Sequence, residues 1–213
     1  MPPSAGITRQ LPRGRHGLSR ETVVASQRER ILGAMAAAMA ENGYVGTSVA
    51  TIIKRAGVSR ETFYEQFRSR EDCFEAGYQR AVEMMLARTG AARSRTGAAD
   101  PQQRLDRLLR AYLDALADEP TYARLYLVEV YAVGSKAIAR RVELQESFVE
   151  VIVDLLGANT SAQRFACTTL VAAISAMVTA RVAAGDLDGL RGLREPILEL
   201  VHRGGELFGI DTP

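Results

Sequence analysis

Apolar side chains recur along this chain every three or four residues, from about Ile31 to Leu207, which is the spacing of one-sided helical stripes. Ile31, Met35, Ala38 and Met39 form the first stripe, on a helix whose signals begin at Ser19 and end near Gly43. Val49, Ile52, Ile53 and Ala56 mark a short second helix; Phe63 and Phe67, four apart, mark the inner face of a third. Gly57 tolerates the positive φ that stops a helix and turns the chain sharply, and Ser59 can cap the third helix through its hydroxyl. A fourth helix is expected from Ser69 to about Arg88. Glu71 and Asp72 lie at the positive end of its dipole, and Phe74, Tyr78, Val82 and Met85 share one face.

Residues 89–99, TGAARSRTGAA, read as a loop. Asp100-Pro101 then pairs an N-cap acid with proline at the first helical position, opening a helix with Leu105, Leu108, Leu109, Tyr112 and Leu116 inward. Residues 120–133 place Tyr122, Tyr126 and Glu129 on one helical face and Leu125, Val128 and Ala132 on another. Their valines lack the hairpin turn and pairing partner that a strand needs. Leu144, Phe148, Val151 and Leu155 mark a further helix closed by Gly157. Small residues come next at close-approach spacing: Ala166, Thr169, Ala173, Ala176, Ala180 and Ala183. Leu190, Leu193, Ile197, Leu200, Gly204 and Leu207 then repeat like a coiled-coil seam, with Pro196 as a kink or a helix start. Both stripes could face the protomer's own core. The separate Leu170, Ile174 and Met177 face tilts the reading toward a homodimer, with Ala173, Ala176, Ala180, Leu193, Ile197 and Leu200 in its interface.

Composition narrows the class. With 47% hydrophobic and 24% charged residues, the 213-residue chain can bury a substantial core and is not a disordered polymer. The net charge of +2 conceals an asymmetry: residues 1–80 hold twelve Lys/Arg against eight Asp/Glu, and residues 81–213 hold fifteen against seventeen. Cys73 and Cys167 stand alone without a histidine at ligand spacing, so no metal site, cofactor, disulfide framework or Cys/His nucleophile is expected. No catalytic residues and no phosphate-binding glycine loop are identified, which argues against an enzyme. Residues 1–27 lack the apolar segment of a signal peptide, and Phe165–Ala180, the longest uncharged stretch at sixteen residues, is short of a membrane span. A cytoplasmic protein with no membrane partner is expected.

The outward positions of the third helix are Arg60, Glu61, Thr62, Tyr64 and Glu65, with Arg68 just beyond: donors, acceptors and a phenol suited to a DNA major groove. The strings Gly43-Tyr44, Gly46-Thr47-Ser48-Val49 and Ala56-Gly57-Val58-Ser59, with Phe63-Tyr64-Glu65-Gln66-Phe67 and Ser69-Arg70-Glu71-Asp72-Cys73-Phe74, resemble the DNA-binding domain of the tetracycline-repressor (TetR) family. The resemblance covers roughly residues 28–80. It implies that Ser48 approaches phosphate, that Arg60, Glu61 and Thr62 reach base edges, and that Tyr64 touches the DNA backbone. Gln66 and Arg70, where many members carry histidine and lysine, can donate to phosphate. Ser59, Lys54 and Arg55 complete the expected DNA-binding set. Three positions depart from the pattern: Ile53 replaces a small residue, Glu65 adds a negative charge, and Ala50 denies Thr47 the acidic partner of a capping box.

The expected architecture is all-α, with about nine helices: a three-helix helix-turn-helix domain and a larger C-terminal helical domain. Residues 1–27 are expected to be a flexible basic arm, residues 28–88 the DNA-binding domain with its connecting helix, and residues 89–213 a ligand-binding and dimerisation domain. The arm is either a solvated tail or a minor-groove reader through Arg13 and Arg15. By resemblance, the protein is a homodimeric repressor of a double-stranded DNA operator, released by an unidentified small-molecule inducer. Tyr112, Tyr122, Tyr126 and Glu129 are the candidate ligand contacts. The alternative is a DNA-binding regulator without a small-molecule ligand.

Overall fold

The structure, a computed structural model, describes residues 19–94 and 100–210, all of them helix, turn or irregular chain with no strand. Arg13 and Arg15, expected in the arm, and residues 95–99 of the expected loop lie outside the described residues. The chain forms two compact units, Met1–Gln79 and Arg80–Pro213.

In the first unit, α1 (Arg20–Gly46) opens at Ser19, whose hydroxyl accepts from the Thr22 amide at 3.2 Å. Residues 20–27, expected within the arm, are therefore the first turns of a helix. Regular geometry ends at Gly43, whose φ of 70° sends the chain into a turn. Next come α2 (Val49–Ala56) and α3 (Arg60–Gln66), separated by Gly57 in the left-handed region at φ 64°. The α2 cap is Ser48 and not Thr47: Ser48 accepts from Thr51 N, whereas Thr47 is fully buried and donates its hydroxyl to the Gly43 carbonyl at 2.8 Å. Thr47 thus secures the preceding turn, and the missing capping-box acid at Ala50 has no bearing on α2. Ile31, Met35, Met39, Ile52, Phe63, Phe67, Phe74 and Tyr78 are each at most 2% exposed and make this unit's core.

α4 (Arg70–Ser94) begins in the first unit and continues into the second, past the expected end at Arg88. No proline interrupts it there, and the buried Thr89 donates its hydroxyl to the Met85 carbonyl at 2.8 Å. The second unit continues with α5 (Pro101–Asp118), α6 (Pro120–Arg124), a π-helical turn (Leu125–Glu129) and α7 (Val130–Val133). Asp100 occupies the N-cap position of α5 without a side-chain cap bond, so Pro101 is what sets that start. α8 (Ser135–Leu156) is closed by left-handed Gly157, and α9 (Ser161–Ala184) opens with a reciprocal capping box between Thr160 and Gln163.

α10 (Leu187–Gly192), α11 (Arg194–Arg203) and a 3₁₀ turn (Gly205–Phe208) close the described chain. The expected seam does not survive as one surface. Leu190, Leu193, Ile197 and Val201 are at most 8% exposed because α10 and α11 pack on α5. Arg194 pairs with Asp106 at 2.5 Å and Arg191 with Asp118 at 3.2 Å, fixing that orientation. Leu193 and Ile197 therefore belong to the protomer's own core, whereas Leu200 and Leu207 remain 55% and 66% exposed.

Candidate DNA interface and ligand cavity

Three short-range devices shape the helix-turn-helix. Ser19/Thr22, Ser48/Thr51 and Ser59/Thr62 each couple a capping serine to the threonine three residues on, with hydroxyl oxygens 2.9 Å apart. Each cap satisfies an amide that the first helical turn leaves without a partner. Ser48 and Ser59 are exposed, so a DNA phosphate can still reach them, but both hydroxyls already serve the fold.

Phe63 and Phe67 anchor α3 from beneath, with ring centroids 5.7 Å apart. This leaves Arg60, Glu61, Tyr64 and Glu65 exposed, with Thr62 and Gln66 half-buried at the margin. The Arg60 guanidinium lies 5.2 Å from the Tyr64 ring centre and donates to its hydroxyl at 3.4 Å, which aligns the two outward side chains.

Arginines that pin carbonyls were not recognised in the sequence. Arg30 donates to the Ala56 carbonyl through Nε at 3.3 Å and Nη2 at 2.8 Å, and to the Gly57 carbonyl at 3.0 Å. It satisfies acceptors left open at the C-terminus of α2, where a cation also complements the helix dipole. Arg28 donates to the Gln66 carbonyl at 3.3 Å and lies 4.5 Å from the Phe67 ring centre. Arg70, expected to contact phosphate, instead donates to the Tyr44 and Thr47 carbonyls at 3.1 and 3.0 Å and stacks 4.2 Å over Tyr44. Arg55 is likewise committed, to both carboxylate oxygens of Glu41 at 2.6 Å, and that bond holds the Glu41 carboxyl below its ordinary value. Lys54 and Arg68 are exposed and without an ion pair among the described residues. The basic charge of this domain is therefore divided between buttressing cations and free ones, a distinction that composition does not carry.

In the second unit a cavity of about 50 Å³ opens among α5, the π turn, α8 and α9. Of the four candidate ligand contacts, Tyr112 and Tyr126 line it; Tyr122 and Glu129 do not. Glu129 is 5% exposed and accepts from Arg124 Nε at 3.1 Å, so its carboxylate serves an internal ion pair. Burial pushes the Tyr112 and Tyr126 phenols up, Arg141 partly offsetting this for each, and both stay protonated at neutral pH. The remaining walls are mostly aliphatic or aromatic, with Arg141, Gln145 and Ser175 as polar exceptions. None of these three was singled out in the sequence, where Arg141 sits inconspicuously in Ala-Arg-Arg-Val.

α9 carries two faces. Cys167, Leu170, Val171, Ile174, Val178 and Val182 are buried inward, while Ala173, Ala176 and Ala180 lie exposed with Phe165 (73%) and Met177 (38%). The helix is 24 residues long, longer than the uncharged stretch within it, and its most apolar 18-residue window has a mean hydropathy of 1.6.

Residues 31–76 match the family model for bacterial regulatory proteins of the tetR family. The chain is 24% identical over 134 residues to the HTH-type transcriptional activator FasR of Mycolicibacterium smegmatis, covering 63% of this chain and spanning 60% of that relative's length. Among solved structures, a TetR-like transcriptional regulator from Rhodococcus sp. RHA1 superposes with a TM-score of 0.66 at 20% identity, covering 88% of this chain and 99% of the other. FadR from Bacillus subtilis, in complex with stearoyl-CoA, gives 0.66 and 20%, covering 86% and 99%. At these identities the structural likeness is one of fold.

Proposed function

Because this chain is a member of the TetR family of bacterial transcriptional regulators, we propose that it is a ligand-responsive repressor, a homodimer that binds a pseudo-palindromic operator and is released by a small molecule. The edge of α3 formed by exposed Arg60 and Tyr64 with half-buried Thr62, held outward by buried Phe63 and Phe67, is the observation that carries this reading. Arg60 and Thr62 read base edges, with Glu61 beside them, while Ser48, Lys54, Tyr64 and Arg68 follow the phosphates. Two recognition helices entering successive major grooves would lie about 34–36 Å apart.

The exposed apolar face of α9, with Ala173, Ala176 and Ala180 permitting close approach and Leu200 exposed on α11, supports pairing of two copies as a four-helix bundle. The cavity of the second unit receives the inducer, and α4, which begins in the DNA-binding unit and continues into the cavity-bearing one, couples the two. FadR's complex with stearoyl-CoA supports a ligand of partly apolar character.

Footprinting of the purified protein on the DNA flanking its own gene, across a salt series, tests this reading. A two-fold symmetric protected site whose affinity falls steeply with salt is expected. Protection upstream of the promoter with transcription stimulated would favour an activator, the role that FasR's name carries. Sequence-independent binding alone would overturn the assignment of Arg60 and Thr62.

A further inference from the structure

Arg141 is 4% exposed, and its cation faces the cavity. Nη2 donates to Ser175 Oγ at 2.6 Å, while the Nε–H is buried with no acceptor. The guanidinium lies 4.9 Å from the Tyr126 ring centre, a contact that attracts the cation but supplies no acceptor. No carboxylate among the described residues pairs with it. A buried charge without a counter-ion is costly, whereas the half-buried Arg30 and Arg194 point at a carbonyl and an acid.

The surrounding wall is graded. Arg141, Gln145, Phe148 and Ile152 succeed one another along a single face of α8, over about 16 Å of helix, and Leu108, Val171 and Ile174 add apolar wall. Ser175 already accepts from Arg141, so its own O–H is free to donate toward the same point.

We propose that this cavity binds a monocarboxylate with an apolar body, its carboxylate on Arg141, Ser175 and Gln145 and its body along Phe148 and Ile152. One guanidinium neutralises one negative charge. A phosphate monoester dianion would carry a second, uncompensated charge into an apolar cavity, so the carboxylate fits better. The proposal rests on the ligand-responsive reading above and names the ligand's chemistry.

Calorimetric titration of the full-length protein with octanoate, octanamide, benzoate, benzamide and octyl phosphate tests it. At least one carboxylate is expected to bind about tenfold or more tightly than its matched amide, and octyl phosphate more weakly than octanoate. Arg141→Gln is expected to reduce the carboxylate to the affinity of the amide, and Arg141→Lys to recover part of the difference. If the variants fail to fold, the wild-type acid and amide pairs still decide. Equal affinity for acid and amide, preference for the phosphate, or no binding of any probe overturns the proposal. Footprinting of the same preparation separates the two readings. Protected DNA with no probe bound removes only the carboxylate; bound carboxylate with no protected DNA removes the regulator reading.

Discussion

Arg30 places three hydrogen bonds on two carbonyls, those of Ala56 and Gly57, at the corner between α2 and α3. Removing it leaves acceptors at a helix C-terminus without a protein partner. Arg30→Met is expected to lower stability by about 1–3 kcal/mol in urea denaturation, with Lys54→Met near zero. Cys73 gives a different single-residue prediction. The thiol is fully buried, and burial pushes it up to about 12, so almost no thiolate exists at pH 8. A thiol-specific reagent is expected to label it at the rate of unfolding and faster only in denaturant; rapid labelling of the native protein would contradict its packing role. The carbonyl contacts of Arg28, Arg30 and Arg70 escaped sequence reading because a charged residue at a polar helical position gives the same pattern whether it faces water or a carbonyl 26 or 38 residues away.

At the scale of elements, the turn between α2 and α3 depends on Gly57 at φ 64°. Gly57→Ala is expected to cost about 1–2 kcal/mol, since a Cβ is disfavoured in the left-handed region. Thermal unfolding and operator affinity should fall together. Free and committed cations on α2 can also be separated. Lys54→Gln is expected to reduce the salt slope of operator binding by about one, whereas Arg55→Gln, bonded to Glu41, should change it much less. The helix-turn-helix was legible in sequence because its signals are local: Gly57, the Ser59 cap and the Phe63/Phe67 spacing each act within a turn. Residues 120–133 were less so. Reading them at a constant α-helical period grouped Tyr122, Tyr126 and Glu129, but the π turn at Leu125–Glu129 inserts an extra residue and rotates the downstream side chains by about 100°. Tyr126 reaches the cavity, and Glu129 turns instead to Arg124. Periodicity alone holds no mark of that insertion.

At the scale of the whole molecule, the stripes on α9 and on α10–α11 looked alike in sequence and were resolved by tertiary packing. Leu193 and Ile197 went inward with the Arg194–Asp106 pair, and Ala173, Ala176 and Ala180 stayed outside. Ala176→Glu is expected to shift the protein toward monomer in sedimentation and to weaken operator binding by at least tenfold, with helical content unchanged. Unaltered sedimentation would place the interface elsewhere. With pairing through that face, the DNA-binding species at low abundance grows as the square of chain concentration. Halving synthesis would then cut the active form about fourfold. The bare alanines of α9 would thereby make the regulated gene answer to expression level in a threshold-like way, a sharpness of dose response that no contact with DNA or inducer needs to supply.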